Sequence, residues 1–259
     1  LVRVGVGSAD GHASMYTRAD AAAPRVGRVT RVGGLGQDGR MVAASPLDPD
    51  AVLWSAPAEE RGDRPLLVLL HGYGSNEADL FGLTPHLPGE FVVAAVRAPL
   101  APRFPMPGYS WFTIDGVESR DHDEVVGSTR AVWDWVDGAR GDAASVGLLG
   151  FSQGGVIALQ MMRMRPQGAA FAVNLAGYAF PEPADGDAEL AEVRPPVFWG
   201  RGARDEVIPP RFVDHTAQWL PGHVDLSGRV YPDLAHSVSA EELGDVRVFL
   251  EKQLAAPKS

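Results

Sequence analysis

The chain contains no cysteine, which excludes a disulfide framework, a thiolate metal site and a cysteine nucleophile. It also lacks any apolar run near the roughly 18 residues that a membrane-crossing helix needs. The longest runs, such as residues 91–96, have the length of strands, so stable membrane insertion is not expected. Positive charge is in deficit: 23 Lys and Arg stand against 33 Asp and Glu, a formal net charge of −10. A nucleic-acid partner is not expected either, because most of the surface would repel a polyanion. A continuous apolar segment ending in small residues, the mark of a secretory signal, is missing, and a cytoplasmic location is the expectation.

What the chain does have is a globular composition, 45% hydrophobic and 22% charged over 259 residues, enough to bury a core. The charge is unevenly spread. Residues 1–40 hold six Arg against three Asp, a net of +3, which leaves −13 for the rest. With eight glycines and no sustained periodicity beyond a short apolar run at 29–32, this stretch reads as a loosely structured N-terminal extension. Residues 41–259 read as the catalytic domain.

From about residue 51 short apolar runs alternate with amphipathic stretches. Residues 51–55, 65–70, 90–96, 145–149, 170–174, 196–200 and 223–231 read as strands. Residues 77–83, 120–137, 153–164, 210–220 and 239–254 carry the apolar spacing of surface helices. Alternation of this kind, with strands apolar at nearly every position, predicts an α/β fold with a mainly parallel sheet covered on both faces.

The most informative motif is Gly150-Phe151-Ser152-Gln153-Gly154, the chain's single G-x-S-x-G. An apolar strand leads into it and a helical pattern leaves it, the strand-turn-helix context that presents a serine hydroxyl on a sharp turn. Serine is a weak nucleophile near neutral pH and needs a base, itself oriented by a carboxylate. In folds that use this turn the chain order is Ser, then Asp or Glu, then His. Of the histidines after Ser152, His215 falls inside a helical stretch and His223 at the start of a strand. His236 follows the last strand in a loop, where functional groups gather in open α/β sheets, and is the expected base. Asp205, just past the strand at 196–200, is the expected orienting acid; Glu206 beside it would point elsewhere, and Asp233 is too near His236 in sequence. The oxyanion of a tetrahedral intermediate requires backbone N–H donors. Gln153, at a helix N-terminus, supplies one, and the glycine-containing loop after residue 70 supplies the other from Tyr73.

These pieces, in this order, resemble the carboxylesterase and phospholipase family of α/β-hydrolases that includes the acyl-protein thioesterases. The stretches that carry the likeness are LHGYGSNEADL from Leu70, GFSQGG from Gly150, the segment ending in Asp205-Glu206-Val207-Ile208-Pro209, and AHSVSAEEL from Ala235. The resemblance implies an α/β-hydrolase fold without a large cap, a triad of Ser152, Asp205 and His236, and a Trp111-Phe112 pair near the acyl site. It also implies a serine esterase acting on a small-molecule ester or acylated substrate of short to medium chain length. Another hydrolase activity, such as that of a small peptidase or polysaccharide deacylase, is the alternative, as is a binding protein on a hydrolase scaffold.

Three further features are read as structural. The G-x-G-x-x-G at 34–39 lacks a βαβ setting, and Pro46 interrupts the helix that should follow. Asp121-His122-Asp123-Glu124 reads as a solvated helix start rather than a metal site, because neighbouring helical residues point in different directions. Trp133 and Trp135 fit the apolar face of their helix. No metal or organic cofactor is expected.

Overall fold

A computed structural model describes residues 46–256 except 104, 106 and 116–118. The expected extension at 1–40, the apolar run at 29–32 and the glycine motif at 34–39 lie outside the described residues. Nine strands and six helices follow in chain order: β1 (Val52–Trp54), β2 (Leu66–Leu70), α1 (Glu77–Phe81), β3 (Val92–Val96), β4 (Ile114–Asp115), β5 (Ser119–Arg120), α2 (His122–Ala139), β6 (Val146–Phe151), α3 (Gln153–Met164), β7 (Phe171–Leu175), α4 (Asp187–Val193), β8 (Pro196–Gly202), α5 (Pro210–His223), β9 (Asp225–Tyr231) and α6 (Ala240–Ala255). Seven strands make one sheet in the order β1-β3-β2-β6-β7-β8-β9, while β4 and β5 pair separately. Only β1 runs antiparallel in the large sheet; the register from Leu66 against Val92 through Gly202 against Tyr231 is parallel throughout.

The sheet is buried on both faces, which is why its central strands are apolar at successive positions rather than alternating. Side chains still alternate between faces. Leu66, Val68 and Leu70 of β2 enter one core with residues of α2, α3, α4 and α5. Leu67 and Leu69 enter the other with Leu80 of α1 and Leu243, Val246, Phe249 and Leu250 of α6. Each fully buried Leu, Val or Phe stabilises the fold by about 1.5–3 kcal/mol relative to exposure. The fold is that of an α/β-hydrolase, and among the described residues no helical cap is inserted over the sheet. No helix among them is long and apolar enough to cross a membrane.

Two elements depart from the sequence expectation. Residues 187–193 were not anticipated as a helix, because only Leu190 of α4 is buried. The anchor is electrostatic instead. Arg163 of α3, 1% exposed, donates to both Asp187 carboxylate oxygens at 2.7 and 2.8 Å and to the carbonyls of Phe180 and Glu182. Burial raises the Asp187 pKa, but the hydrogen bond from Arg163 outweighs it and the carboxyl titrates below its ordinary range. Helix α5 also runs past Leu220 to His223 despite Pro221. Its last carbonyls are taken up by the Arg194 guanidinium, which donates to Pro221, Gly222 and Val224.

Candidate active site

Strand β6 does not stop at Leu149 but continues through Phe151 into a reversal at Ser152. There φ is 54° and ψ −116°, a region L-residues avoid at a cost of about 1–3 kcal/mol and one that recurs at functional turns. The turn is held because Ser152 donates its N–H to Leu175 of β7 at 2.8 Å and its carbonyl receives Val156 N–H at 3.1 Å. Small neighbours are obligatory. A Cβ at Gly150 would strike the Gly154 carbonyl, and one at Gly154 would strike the Leu70 carbonyl.

His236 and Asp205 arrive on separate loops, after β9 and β8. Those loops are stitched together by backbone: Ala203 N–H donates to Tyr231 and Arg204 N–H to Leu234, both at 2.9 Å. Gly202 passes so close to the Leu234 carbonyl that a Cβ would collide with it. The result is a line of contacts. His236 Nδ1 lies 2.7 Å from Asp205 Oδ2, and His236 Nε2 lies 2.9 Å from Ser152 Oγ. Side-chain exposure is only 15% for His236 and 6% for Asp205, and the Phe151 ring packs against the imidazole at 5.0 Å between centroids. Burial raises the Asp205 pKa. The hydrogen bond and charge of His236, with N–H donation from Ile208 and Val207 to Oδ1, outweigh it and hold the carboxyl below its ordinary range. Asp205 is thus an anion across the neutral range, hydrogen-bonded to one imidazole nitrogen while the other faces the serine hydroxyl.

The rival side chains lie elsewhere. Asp233 is exposed and pairs with Arg204 at 2.5 Å; Glu206 is exposed. His223 stacks on Trp219 at 4.0 Å within α5, and His215 sits on the same helix. In the acidic start of α2, Asp121 caps the helix by accepting Glu124 N–H, and Glu124 accepts Thr113 N–H. Trp133 is buried, its indole N–H donating to Met161, whereas Trp135 is only partly buried and packs on Trp54.

On the opposite flank of Ser152, the loop after β2 brings Gly72 into contact with the serine. A Cβ built on Gly72 would lie 3.6 Å from that of Ser152. Tyr73 follows, its side chain partly exposed, and Gln153 occupies the first turn of α3, whose N–H groups have no intrahelical acceptor. Trp111 and Phe112 are not placed as the resemblance implied. Both are fully buried and offer no surface to a substrate. Trp111 donates its backbone N–H to Gln153 Oε1 at 2.9 Å and its indole N–H to the His71 carbonyl at 2.8 Å. Phe112 accepts from Gln153 Nε2 at 2.6 Å. A large aromatic beside so many carbonyls is satisfied by burying its ring and donating its N–H. His71 and the Gln153 amide were not singled out from sequence; the only signal was their adjacency to Gly72 and Ser152.

A strand-elbow-helix serine at the carboxyl edge of a parallel sheet, with an imidazole and a carboxylate in line, defines a hydrolase of the α/β class. The chain belongs to the Phospholipase/Carboxylesterase family, whose sequence profile matches residues 56–254. It is 28% identical over 224 residues to acyl-protein thioesterase 1 of Mycosarcoma maydis, covering 73% of this chain and 91% of that one. The fold matches a Mesorhizobium loti carboxylesterase with a TM-score of 0.66 at 23% identity, covering 83% of this chain and all of the other. It also matches Zea mays acyl-protein thioesterase 2 with a TM-score of 0.63 at 20% identity, over 78% and 98% of the two chains. The protein is accordingly an enzyme, a hydrolase of the carboxylesterase type.

Proposed function

We propose that the protein hydrolyses carboxylic esters or thioesters of short to medium acyl chains through an acyl-enzyme on Ser152. The observation that carries this reading is the line of hydrogen bonds from Ser152 through His236 to Asp205. As Ser152 Oγ attacks the carbonyl carbon, its proton passes to His236 Nε2 and the imidazolium is stabilised by the Asp205 anion. The carbonyl oxygen becomes an oxyanion that accepts from the N–H groups of Gln153 and Tyr73. Collapse of the tetrahedral intermediate breaks the bond to the leaving alcohol or thiol, which takes the proton back from His236. Water, deprotonated by the same imidazole, then attacks the acyl-enzyme and releases the acid.

The likeness to acyl-protein thioesterases supports a thioester as well as an oxygen ester. The site lies under no inserted cap among the described residues, which supports an accessible carbonyl-binding cleft and a substrate arriving from solution, with a cytoplasmic location part of the same reading. The residues before Met41 are assigned no part in the chemistry, so a chain beginning there keeps its kcat. The test of substrate class is kcat/KM across p-nitrophenyl esters from acetate to palmitate, with matched acyl thioesters. A maximum among the short to medium acyl groups is expected; a maximum at palmitate, or no turnover of any ester, would contradict it.

A further inference from the structure

The oxyanion-binding peptide needs a fixed direction, and the side chain that fixes it is outside the triad. His71 is 1% exposed. Its Nε2 accepts the backbone N–H of Ala98 at 3.1 Å, so that nitrogen carries a lone pair. The ring proton therefore resides on Nδ1, which donates to the Gly72 carbonyl at 2.8 Å. Burial lowers the pKa of this imidazole, against the hydrogen bond to Gly72 and the charges of Asp79 and Glu77, in keeping with a neutral ring of single tautomer.

The Gly72 carbonyl and the Tyr73 N–H belong to one planar trans peptide and point in opposite directions. Holding the carbonyl on the imidazole turns the N–H away from it. The same loop is braced from the other side. The Trp111 indole donates to the His71 carbonyl, the Trp111 backbone N–H donates to Gln153 Oε1, and Ser128 Oγ donates to the Trp111 carbonyl. One continuous set of neutral hydrogen bonds thus joins the residue carrying one oxyanion donor, Gln153, to the peptide carrying the other.

We infer that His71 is a positioning residue that holds the Gly72–Tyr73 peptide with its N–H toward the oxyanion, and that Trp111 transmits this orientation to Gln153. The inference rests on the hydrolytic reading above. Without the imidazole, the Gly72 carbonyl has no donor and the peptide can turn over, presenting an oxygen where negative charge develops. Such a change removes an interaction made in the transition state and leaves ground-state binding alone.

The test uses the full chain, with active sites counted by stoichiometric fluorophosphonate labelling. His71→Phe should lower kcat per labelled site by about 10²–10³-fold, the size seen on loss of one oxyanion donor, with KM little changed. His71→Asn keeps an N–H donor toward Gly72 and should recover most of the loss. An alkyl boronic acid, whose serine adduct is anionic, should weaken in parallel with kcat/KM in His71→Phe, while a neutral amide analogue of the substrate should bind as before. A merely structural role would lower the melting temperature and the labelled fraction but leave these ratios untouched. Trp111→Phe, which deletes only the indole N–H, provides an independent variant should His71→Phe not fold; a roughly 3–10-fold loss confined to kcat is expected. Unchanged kcat per site in the folded variants, or equal weakening of boronate and amide, would overturn the inference while leaving the hydrolytic reading intact. Absence of both turnover and labelling in the unaltered chain would instead overturn the reading on which it rests.

Discussion

On the flank of Ser152 formed by β2 and α2, the side chains that shape the site are buried and neutral: His71, Trp111, Gln153 and Ser128 exchange hydrogen bonds with backbone and with one another. On the flank formed by β8 and β9 the groups are ionisable and nearer solvent: Asp205, His236 and the outer pair Arg204–Asp233. The difference follows from the two tasks. An oxyanion donor acts by not moving, so its orientation is best held by buried bonds that cost no reorganisation. A general base must gain and lose a proton in each cycle, so it sits beside a permanent anion with room to reach both serine and leaving group.

Breaking the ionisable flank gives the largest expected effect. Ser152→Ala and His236→Ala should each lower kcat by about 10⁴–10⁶-fold, and the double variant by little more, because the groups act as a unit. Multiplying losses, measured in parallel on purified single and double variants, would show that the two do not share a step. Asp205→Asn should cost about 10⁴-fold through loss of the tautomer that His236 presents. Asp233→Asn, which severs only an exposed pair, should leave kcat near that of the parent and stability within about 1 kcal/mol. Reversal of that ranking would move the acid to the outer loop.

The smallest effect concerns stability and sharpens the comparison. Glu242, in the first turn of α6 close after the His236 loop, is 1% exposed, and neither carboxyl oxygen has a hydrogen-bond partner among the described residues. Burial, against N–H donation to the group's surroundings from Ser239 and with repulsion from Asp245, pushes its pKa up to about 8. A carboxyl whose folded pKa is raised holds a proton that the unfolded chain releases, so stability falls as pH rises from the ordinary Glu range toward 8. Glu242→Gln cannot ionise. Its melting temperature should exceed the parent's by a margin that widens from pH 5 to pH 8, on the order of a few kcal/mol at the upper end. Thermal scans that run parallel across this range would contradict the assignment. Hydrogen exchange should place the pH-sensitive opening at 232–243, not at 71–75 or 109–113, where the bonds described are neutral.

The two flanks also differed in how far sequence revealed them. Chemistry restricts the ionisable flank to a few residue types in a fixed order, and strand ends restrict their positions, so Ser152, Asp205 and His236 could be named before their distances were known. Gly72, Tyr73 and Gln153 could be named for the backbone they carry. The side chains that orient that backbone could not, because their partners are carbonyls and N–H groups that every residue has; Trp111 was read as substrate-facing although its indole is committed to His71. The sheet was legible strand by strand from apolar runs. Helix α4 was not, since it is secured by the buried Arg163–Asp187 pair rather than by periodic apolar residues, and β4 and β5, two residues each, carry no pattern of their own.

The central claim, that Ser152 is the acylated nucleophile, is tested most directly by intact-mass and peptide-level mass spectrometry after brief exposure to a fluorophosphonate ester. The account predicts one adduct per chain on the peptide containing Ser152, formed far more slowly in His236→Ala and absent from folded Ser152→Ala. Labelling of folded Ser152→Ala at the parent's rate, or an adduct on another serine in the unaltered chain, would contradict it.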